Sequence, residues 1–140
     1  MILSPTTNPV QVLRNAADYL DAHGWMRGTF FGFSPGGVEP PAACSLGAIQ
    51  IAVTGDAVDV FANDFRFDTA TDEQFTAVLE AADIVVSHLR REHNTAAMGS
   101  LSKVAALAKW NDRDGRTIAE VTSAMRAAAD QHDAAGGELP

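Results

Sequence analysis

The sequence predicts an all-α fold: a single domain, residues 1–140, of about five helices packed around a buried central helix at residues 41–53. Three helix-start signals, each followed by apolar residues at helical spacing, support this fold class. One stretch in the middle of the chain is apolar nearly all round, which is typical of a helix enclosed by others. The pattern allows at most a short β-hairpin near residues 27–40.

The composition indicates which kinds of binding partner and which cellular compartment we expect for the protein. The chain has a net charge of −8, and 46% of its residues are hydrophobic. A protein this acidic lacks the clustered lysine and arginine that nonspecific nucleic-acid binding needs, so we expect no nucleic-acid partner. The single cysteine cannot form an internal disulfide, which favours a reducing cytoplasm. There is no signal-peptide pattern and no apolar run of about 18 residues, so we expect no membrane partner.

The first helix begins where Asn8 precedes Pro9, because a capping side chain followed by proline at the first helical position is a strong start signal. Its buried stripe has apolar residues at helical spacing: Val10, Leu13, Ala17 and Leu20. Gly24 ends the helix, and a Schellman cap there would fold Trp25 back onto it. We therefore interpret Trp25 as a packing residue.

A run of aromatic residues follows, with Phe30, Phe31 and Phe33 in a segment that suits a short strand or a loop over the core. The same segment contains a Gly-x-Ser-x-Gly match at residues 32–36, the pattern of a hydrolase nucleophile elbow. That elbow requires a backbone N–H directly after the serine, and Pro35 has none. We interpret the match as accidental.

The central helix is predicted over residues 41–53, with two prolines at its start and Gly55 after its end. Gly47 weakens a helix by about 1 kcal/mol relative to alanine, so we expect another backbone to approach it closely. Cys44 lies near the N-terminus of this helix, a position that lowers the pKa of a thiol. Its apolar neighbours favour an inert core thiol, and thiol-dependent catalysis is the alternative.

The clearest helix is predicted over residues 72–92 and is opened by a capping box at residues 71–74. Its apolar stripe is continuous and unusually wide: Phe75, Val78, Leu79, Ala82, Ile84, Val85, Val86 and Leu89. This width predicts contact with a second element or with a second copy of the chain, so a homodimer through this helix is one prediction. The preceding segment, residues 56–68, fits either a helix or a loop that inserts phenylalanines into the core.

Two further helices complete the predicted fold. A serine, Ser100 or Ser102, caps a helix that runs to Trp110. A second capping box at residues 117–120 starts the last helix. Residues 134–140 are predicted to form a disordered tail.

The turn between these two helices, residues 111–115, is rich in side chains that bond their own backbone. In the register of an EF-hand, Trp110 and Val121 would occupy ligand positions, and neither can bind calcium. Arg113 and Arg116 precede a helix N-terminus that attracts anions, although pairing with neighbouring carboxylates is favoured. No Cys or His spacing suits zinc and no glycine-rich phosphate loop occurs, so we expect no metal and no cofactor.

Three segments taken together resemble a known family. They are residues 13–25, which end in His-Gly-Trp; residues 44–49, with the pattern Cys-x-Leu-Gly-Ala-Ile; and residues 110–121, with Trp-Asn-Asp, Arg-Thr and Glu-Val in that order. In these motifs the chain resembles a family of small uncharacterised proteins from high-GC bacteria and their phages. The resemblance implies a fold and a shared set of residues but no reaction. A phage setting favours a protein that binds and modulates a host component.

The leading functional prediction is a non-catalytic cytoplasmic binding or regulatory protein whose partner is another protein. Its candidate binding residues are aromatic anchors and two arginines: Phe30, Phe31, Phe33, Trp110, Arg113 and Arg116. The alternative is a thiol-dependent hydrolase or transferase in which the fold brings a histidine to Cys44. The two hypotheses differ in whether the Cys44 sulfur is open to solvent.

Overall fold

A computed structural model of the chain describes residues 2–33, 39–62, 70–93 and 102–136. These residues form five α-helices, named in chain order: α1 Pro9–His23, α2 Ser45–Thr54, α3 Asp72–His93, α4 Lys103–Asn111 and α5 Ile118–Ala134. The described residues contain no sheet, only two isolated β-bridges, and the predicted all-α class is confirmed. None of the described helices is long and apolar enough to span a membrane.

The central position of α2 is also confirmed. Residues 45–53 are all buried, and α2 contacts α1, α3 and α4. Helix α1 also packs along α5, and α3 packs against each of the other four helices. The core is therefore one cluster around α2, and its largest fully buried side chains include Leu13, Leu20, Leu46, Ile49 and Ile51.

The central helix begins at Ser45, later than the predicted start at Pro41. Cys44 is its N-cap and has extended backbone geometry, with φ −83° and ψ 179°. At the other end Gly55 is a left-handed C-cap with φ 89°, as predicted. The residues before Ser45 are extended and not helical because their backbone groups are bonded to the preceding part of the chain. The side chain of Tyr19 adds a further bond to this stretch by donating to the Pro41 carbonyl at 2.6 Å.

The extended stretch before α2 pairs with the preceding loop through a single residue. Ala43 forms a parallel bridge with Trp25 and an antiparallel bridge with Phe31. These isolated bridges take the place of the short hairpin allowed near residues 27–40. Residues 34–38, which include the serine of the Gly-x-Ser-x-Gly match, lie outside the described residues. The two bridges hold the loop against the N-terminus of α2.

The predicted helix starts are confirmed by hydrogen bonds. The N-cap side chains each accept from a backbone N–H of the first turn: Asn8 for α1, Thr71 for α3, Ser102 for α4 and Thr117 for α5. Both capping boxes are complete, since Gln74 and Glu120 accept in return from the backbone N–H of the capping threonine. Helix α5 ends at Ala134, and residues 137–140 of the predicted tail lie outside the described residues.

The wide apolar stripe of α3 is used within the chain. Val78, Val85 and Val86 are buried, and the half-buried Ile84 packs against the same core. The width follows from the position of α3, which contacts four other helices. The predicted contact with further elements is thus observed within one chain, and the homodimer stays a prediction.

The segment after α2 is a turn rather than a helix over its described part, residues 56–62. Gln50, which is fully buried on α2, holds this segment because its Oε1 accepts a hydrogen bond from Val60 N at 2.7 Å. Asp59 Oδ1 accepts from Phe61 N at 2.9 Å. These bonds place Phe61 beside the core. Residues 63–69 lie outside the described residues.

Candidate functional site

Asn111, the last residue of α4, joins three segments that are far apart in the sequence, and it is 1% exposed. Its Oδ1 accepts hydrogen bonds from Trp25 Nε1 (2.7 Å), Ser45 N (2.9 Å) and Ser45 Oγ (2.5 Å). Its Nδ2 donates to Met26 O (3.2 Å) and to Asp112 Oδ1 (2.9 Å). Every hydrogen-bonding group of this buried amide is therefore satisfied. We call Trp25, Ser45, Asn111 and Asp112 the Asn111 cluster.

The cluster differs from two expectations drawn from the sequence. Gly24 has φ 104° and ψ 152° rather than left-handed cap geometry. Trp25 packs against the core, as expected, but its Nε1 also donates to Asn111. Asn111 does not bond its own backbone in a turn but closes α4 and bonds across the protein. Its partners Trp25 and Ser45 lie 86 and 66 residues away, so no local pattern signals these contacts.

The loop that follows α1, residues 26–33, is bonded to the turn between α4 and α5. Asp112 Oδ1 accepts a hydrogen bond from Gly28 N at 3.0 Å. Arg27 Nη1 donates to Arg113 O at 3.1 Å and pairs with Asp114 Oδ1 at 3.5 Å. The beginning of the loop is thus fixed by the residues next to Asn111.

The end of the same loop is bonded to the stretch before α2. Cys44 N donates to Phe30 O at 3.0 Å, and Gly32 N donates to Ala42 O at 2.7 Å. The Phe30 carbonyl lies so close to α2 that a Cβ at Gly47 would overlap with its oxygen and lie 2.9 Å from its carbon. The predicted close approach at Gly47 is confirmed, and glycine is needed there because any side chain would displace the loop.

Five phenylalanines from this loop, from the segment after α2 and from α3 lie at or near the surface. The ring centroids of Phe30 and Phe31 are 6.2 Å apart, those of Phe30 and Phe61 are 5.9 Å apart, and those of Phe61 and Phe75 are 5.7 Å apart. Phe33, further along the loop, is 89% exposed, and Phe75 is 38% exposed. We call Phe30, Phe31, Phe33, Phe61 and Phe75 the aromatic surface. Phe30, Phe31 and Phe61 are half-buried and pack against the core, so Phe33 and Phe75 are the exposed members. Exposed large apolar side chains that form a patch are typical of an interaction site.

The sequence identified only the loop residues of this surface. Phe75 was expected in the buried stripe of α3, but it lies at the edge of that stripe and is 38% exposed. Its position in the first turn of α3, next to exposed Glu73 and Asp72, is the signal that could have placed it at the boundary. Phe61 belongs to a segment whose structure the pattern left open, so its neighbours could not be inferred.

The other candidate binding residues lie around the turn between α4 and α5. The guanidinium of Arg116 stacks over Trp110 at 4.2 Å from the ring centroid, and its Nε donates to Trp110 O at 3.0 Å. Its Nη1 pairs with Glu120 Oε2 at 3.2 Å, the pairing favoured from the sequence. Arg113 is exposed, and its carbonyl accepts from Arg27. Trp110 and Arg116 thus contact each other, and among the described residues no ring contact joins Trp110 to the aromatic surface.

Two of the histidines, His23 and His88, are held by other contacts. His23 packs against the ring of Tyr19, with centroids 4.6 Å apart, and His88 Nδ1 lies 2.8 Å from Gln131 Oε1. Within the part of the chain that the structure describes, no three His, Cys, Asp or Glu side chains form a group that could hold a metal ion. The absence of a metal and of a cofactor stays a prediction.

Cys44 has the surroundings of a buried capping residue. It is 6% exposed, and its Sγ accepts a hydrogen bond from Gly47 N at 3.4 Å. Burial raises the pKa of the Cys44 thiol, although hydrogen bonds from backbone N–H groups at the start of α2 oppose that shift. A thiol with a raised pKa and little access to solvent is a poor nucleophile.

We therefore expect Cys44 to resist alkylation in the native protein. Burial excludes the reagent and disfavours the thiolate, so labelling by iodoacetamide at pH 7 should be about 100-fold slower than in the urea-unfolded chain. Because the folded pKa is raised, the native rate should go on increasing with pH beyond the point at which labelling of the unfolded chain levels off. Mass spectrometry of timed samples measures both rates. Rapid native labelling near pH 6 would contradict this result and favour the catalytic alternative.

A known protein family matches most of the chain. The sequence model of DUF6197, a family of unknown function, matches residues 4–131. The chain belongs to DUF6197. The matched range contains all residues of the Asn111 cluster and of the aromatic surface, so both lie within the DUF6197 region. No curated protein and no solved structure matches the chain.

Proposed function

We propose that this DUF6197 protein is a non-catalytic binding protein whose aromatic surface docks another protein. The observation that carries the proposal is the series of ring contacts that runs from Phe31 through Phe30 and Phe61 to Phe75, which is 38% exposed. Phe33, in the same loop as Phe30 and Phe31, is 89% exposed. Large aromatic side chains dominate the energetics of protein interfaces. Soluble proteins seldom gather them at the surface without an interaction to cover them.

The rigid attachment of the aromatic surface supports the same proposal. The loop that carries Phe30, Phe31 and Phe33 is bonded at its start to Asp112 and at its end to residues 42–44. A surface that is already ordered loses little conformational entropy on binding, so more of its contact energy contributes to affinity. These hydrogen bonds therefore suit the presentation of side chains to a partner.

The thiol-dependent alternative has less support. A substrate could reach Cys44 only if the loop moved away, because the backbone of Phe30 is bonded directly to Cys44 N. The sulfur already accepts a hydrogen bond from Gly47 N, and burial raises its pKa. We therefore prefer binding to catalysis.

The proposal also includes the biological setting and the cellular location of the protein. The resemblance of three motifs to those of small proteins of high-GC bacteria and their phages supports a phage- or mobile-element-associated protein that modulates a host component. The single cysteine, which is free, favours a cytoplasmic location. The experiment below therefore searches for the partner among the proteins of a high-GC bacterium.

Replacement of Phe33 or Phe75 by alanine should remove the capture of the partner from a lysate of a high-GC bacterium. An aromatic anchor at the centre of an interface is worth about 2 kcal/mol or more, which corresponds to an affinity about 30-fold lower. Phe33 is 89% exposed, so its loss should not alter the fold. Quantitative mass spectrometry of proteins retained by the immobilised wild type and by each variant measures the effect.

Thr29→Ala is the matched control, because Thr29 is exposed in the same loop and carries no aromatic ring. It should retain the partner at the level of the wild type, and all variants should keep the helical circular-dichroism spectrum. If the double variant Phe33→Ala, Phe75→Ala captures the same proteins as the wild type, the aromatic surface is not the binding site. The proposal is also contradicted if the wild type retains no protein that the double variant fails to retain.

A further inference from the structure

Ion pairs neutralise only some of the charged side chains among the described residues. Of its ten lysines and arginines, five form ion pairs within the described residues: Arg14 with Asp130 and Asp133, Arg27 with Asp114, Lys103 with Asp83, Arg116 with Glu120, and Arg126 with Asp18 and Asp21. Asp72, Glu73 and Glu80 on α3 form no ion pair among the described residues. The first two stabilise the N-terminus of α3 through the helix dipole, but Glu80 lies beyond the first turn and has no such role.

These carboxylates line two shallow grooves along α3. One has a volume of about 350 Å³ and is lined by Thr7, Asp72, Glu73, Thr76, Ala77 and Glu80. The other, about 460 Å³, lies between α3 and α4, where Leu79 and Val104 provide apolar walls beside Glu80. Phe75 and Leu79 are one helical turn apart on the same side of α3. The second groove therefore adjoins the aromatic surface at Phe75. Acidic and apolar groups alternate along this face of α3, and the one lysine that lines the second groove, Lys103, is already paired with Asp83.

On the basis of the function proposed above, we propose that the partner presents a basic amphipathic segment of protein chain. Apolar side chains of that segment contact Phe75 and the wall formed by Leu79. Its lysine or arginine side chains pair with Glu73 and Glu80. The net charge of −8 attracts such a segment and repels nucleic acids and anionic lipid surfaces. An acidic or neutral segment would leave both carboxylates without a partner.

Selection from a phage-displayed library of random dodecapeptides tests the chemistry of the partner without assuming its identity. The library is selected on the full-length wild-type protein and depleted on the double variant Phe33→Ala, Phe75→Ala. We expect the enriched peptides to combine aromatic or large aliphatic residues with at least two lysines or arginines and to carry net positive charge. Enrichment of neutral or acidic peptides would overturn the inference.

A charge-matched pair of variants then tests the assigned carboxylates. Glu73→Gln with Glu80→Gln raises the net charge by two, and so does Asp130→Asn with Asp133→Asn on α5, whose partner Arg14 is exposed. The first double variant should bind a synthetic copy of the best selected peptide at least tenfold more weakly in fluorescence anisotropy. The control double variant should stay within twofold of the wild type. Equal weakening by both pairs would show a nonspecific effect of net charge and reject the site.

The outcomes separate this inference from the function on which it rests. Peptides that require Phe33 and Phe75 but show no basic preference leave the aromatic binding surface intact and overturn only the basic partner. Failure to enrich any peptide that depends on Phe33 and Phe75 counts against both. If basic peptides lose affinity for the Glu73→Gln, Glu80→Gln variant but not for the Asp130→Asn, Asp133→Asn control, the result supports both the basic partner and the proposed binding function.

Discussion

Replacement of Asn111 by alanine should lower the free energy of unfolding by about 4 kcal/mol, because it leaves buried donors without an acceptor. Trp25 Nε1 and Ser45 N both donate to Asn111 Oδ1, and Ser45 Oγ is its third donor. Each orphaned buried group costs about 1–3 kcal/mol, and a domain of this size is stable by only about 5–15 kcal/mol. Urea denaturation followed by circular dichroism gives the change in the midpoint and in the free energy.

Lys109→Ala in the same helix is the matched control, since Lys109 is exposed. That substitution should change the free energy of unfolding by no more than about 0.5 kcal/mol. Trp25→Phe removes only one of the donors. It should lower the free energy of unfolding by an amount between those expected for Lys109→Ala and Asn111→Ala. If Asn111→Ala costs less than about 1 kcal/mol, Asn111 does not hold these three segments together.

Replacement of Gly47 by alanine should also destabilise the protein, by about 2–4 kcal/mol, although alanine is the better helix former by about 1 kcal/mol. The added Cβ would overlap with the carbonyl oxygen of Phe30, and a backbone group can relieve that overlap only by moving the loop. The movement would break the hydrogen bond from Cys44 N to Phe30 O. The free energy of unfolding from urea denaturation measures the cost, and near-UV circular dichroism reports the displacement of the aromatic rings.

Gly115→Ala provides the comparison for this prediction. Gly115, unlike the helical Gly47, has a backbone conformation that strains alanine, with φ 83°, but no heavy atom lies within 4 Å of the added Cβ. Its cost should therefore be limited to the backbone strain of about 1–2 kcal/mol. A loss of less than about 1 kcal/mol at Gly47 would contradict the prediction, because it would show that the loop accommodates the added Cβ at little cost.

The features that the sequence predicted are those encoded by short patterns. Asn8, Thr71 and Thr117 lie next to the backbone groups that they cap, so a few residues suffice to locate the helix starts. The all-round apolar character of residues 45–53 indicated burial because only an enclosed helix can hide every face. The start of α2 was placed too early because the bonds that keep residues 41–44 extended come from other parts of the chain.

The candidate site was only partly predictable for the same reason. Phe30, Phe31 and Phe33 are visible as an aromatic run, but Phe61 and Phe75 join them only through the tertiary fold. Asn111 looks like a turn residue in the sequence, and its role depends on partners 66 and 86 residues away. The motifs His-Gly-Trp, Cys-x-Leu-Gly-Ala-Ile and Trp-Asn-Asp are far apart in the sequence, and each contributes a residue to the contacts at Asn111.

The separation of Trp25 from Asn111 has a consequence for protein synthesis. Residues 26–33 leave the ribosome early, whereas the amide that fixes their position is translated 86 residues after Trp25. A nascent chain that ends before α4 therefore carries the loop phenylalanines without their anchor, and long-range contacts of this kind form late in folding. We therefore expect the aromatic surface to be complete only after Asn111 has been translated, which would delay the proposed docking until these segments have folded together.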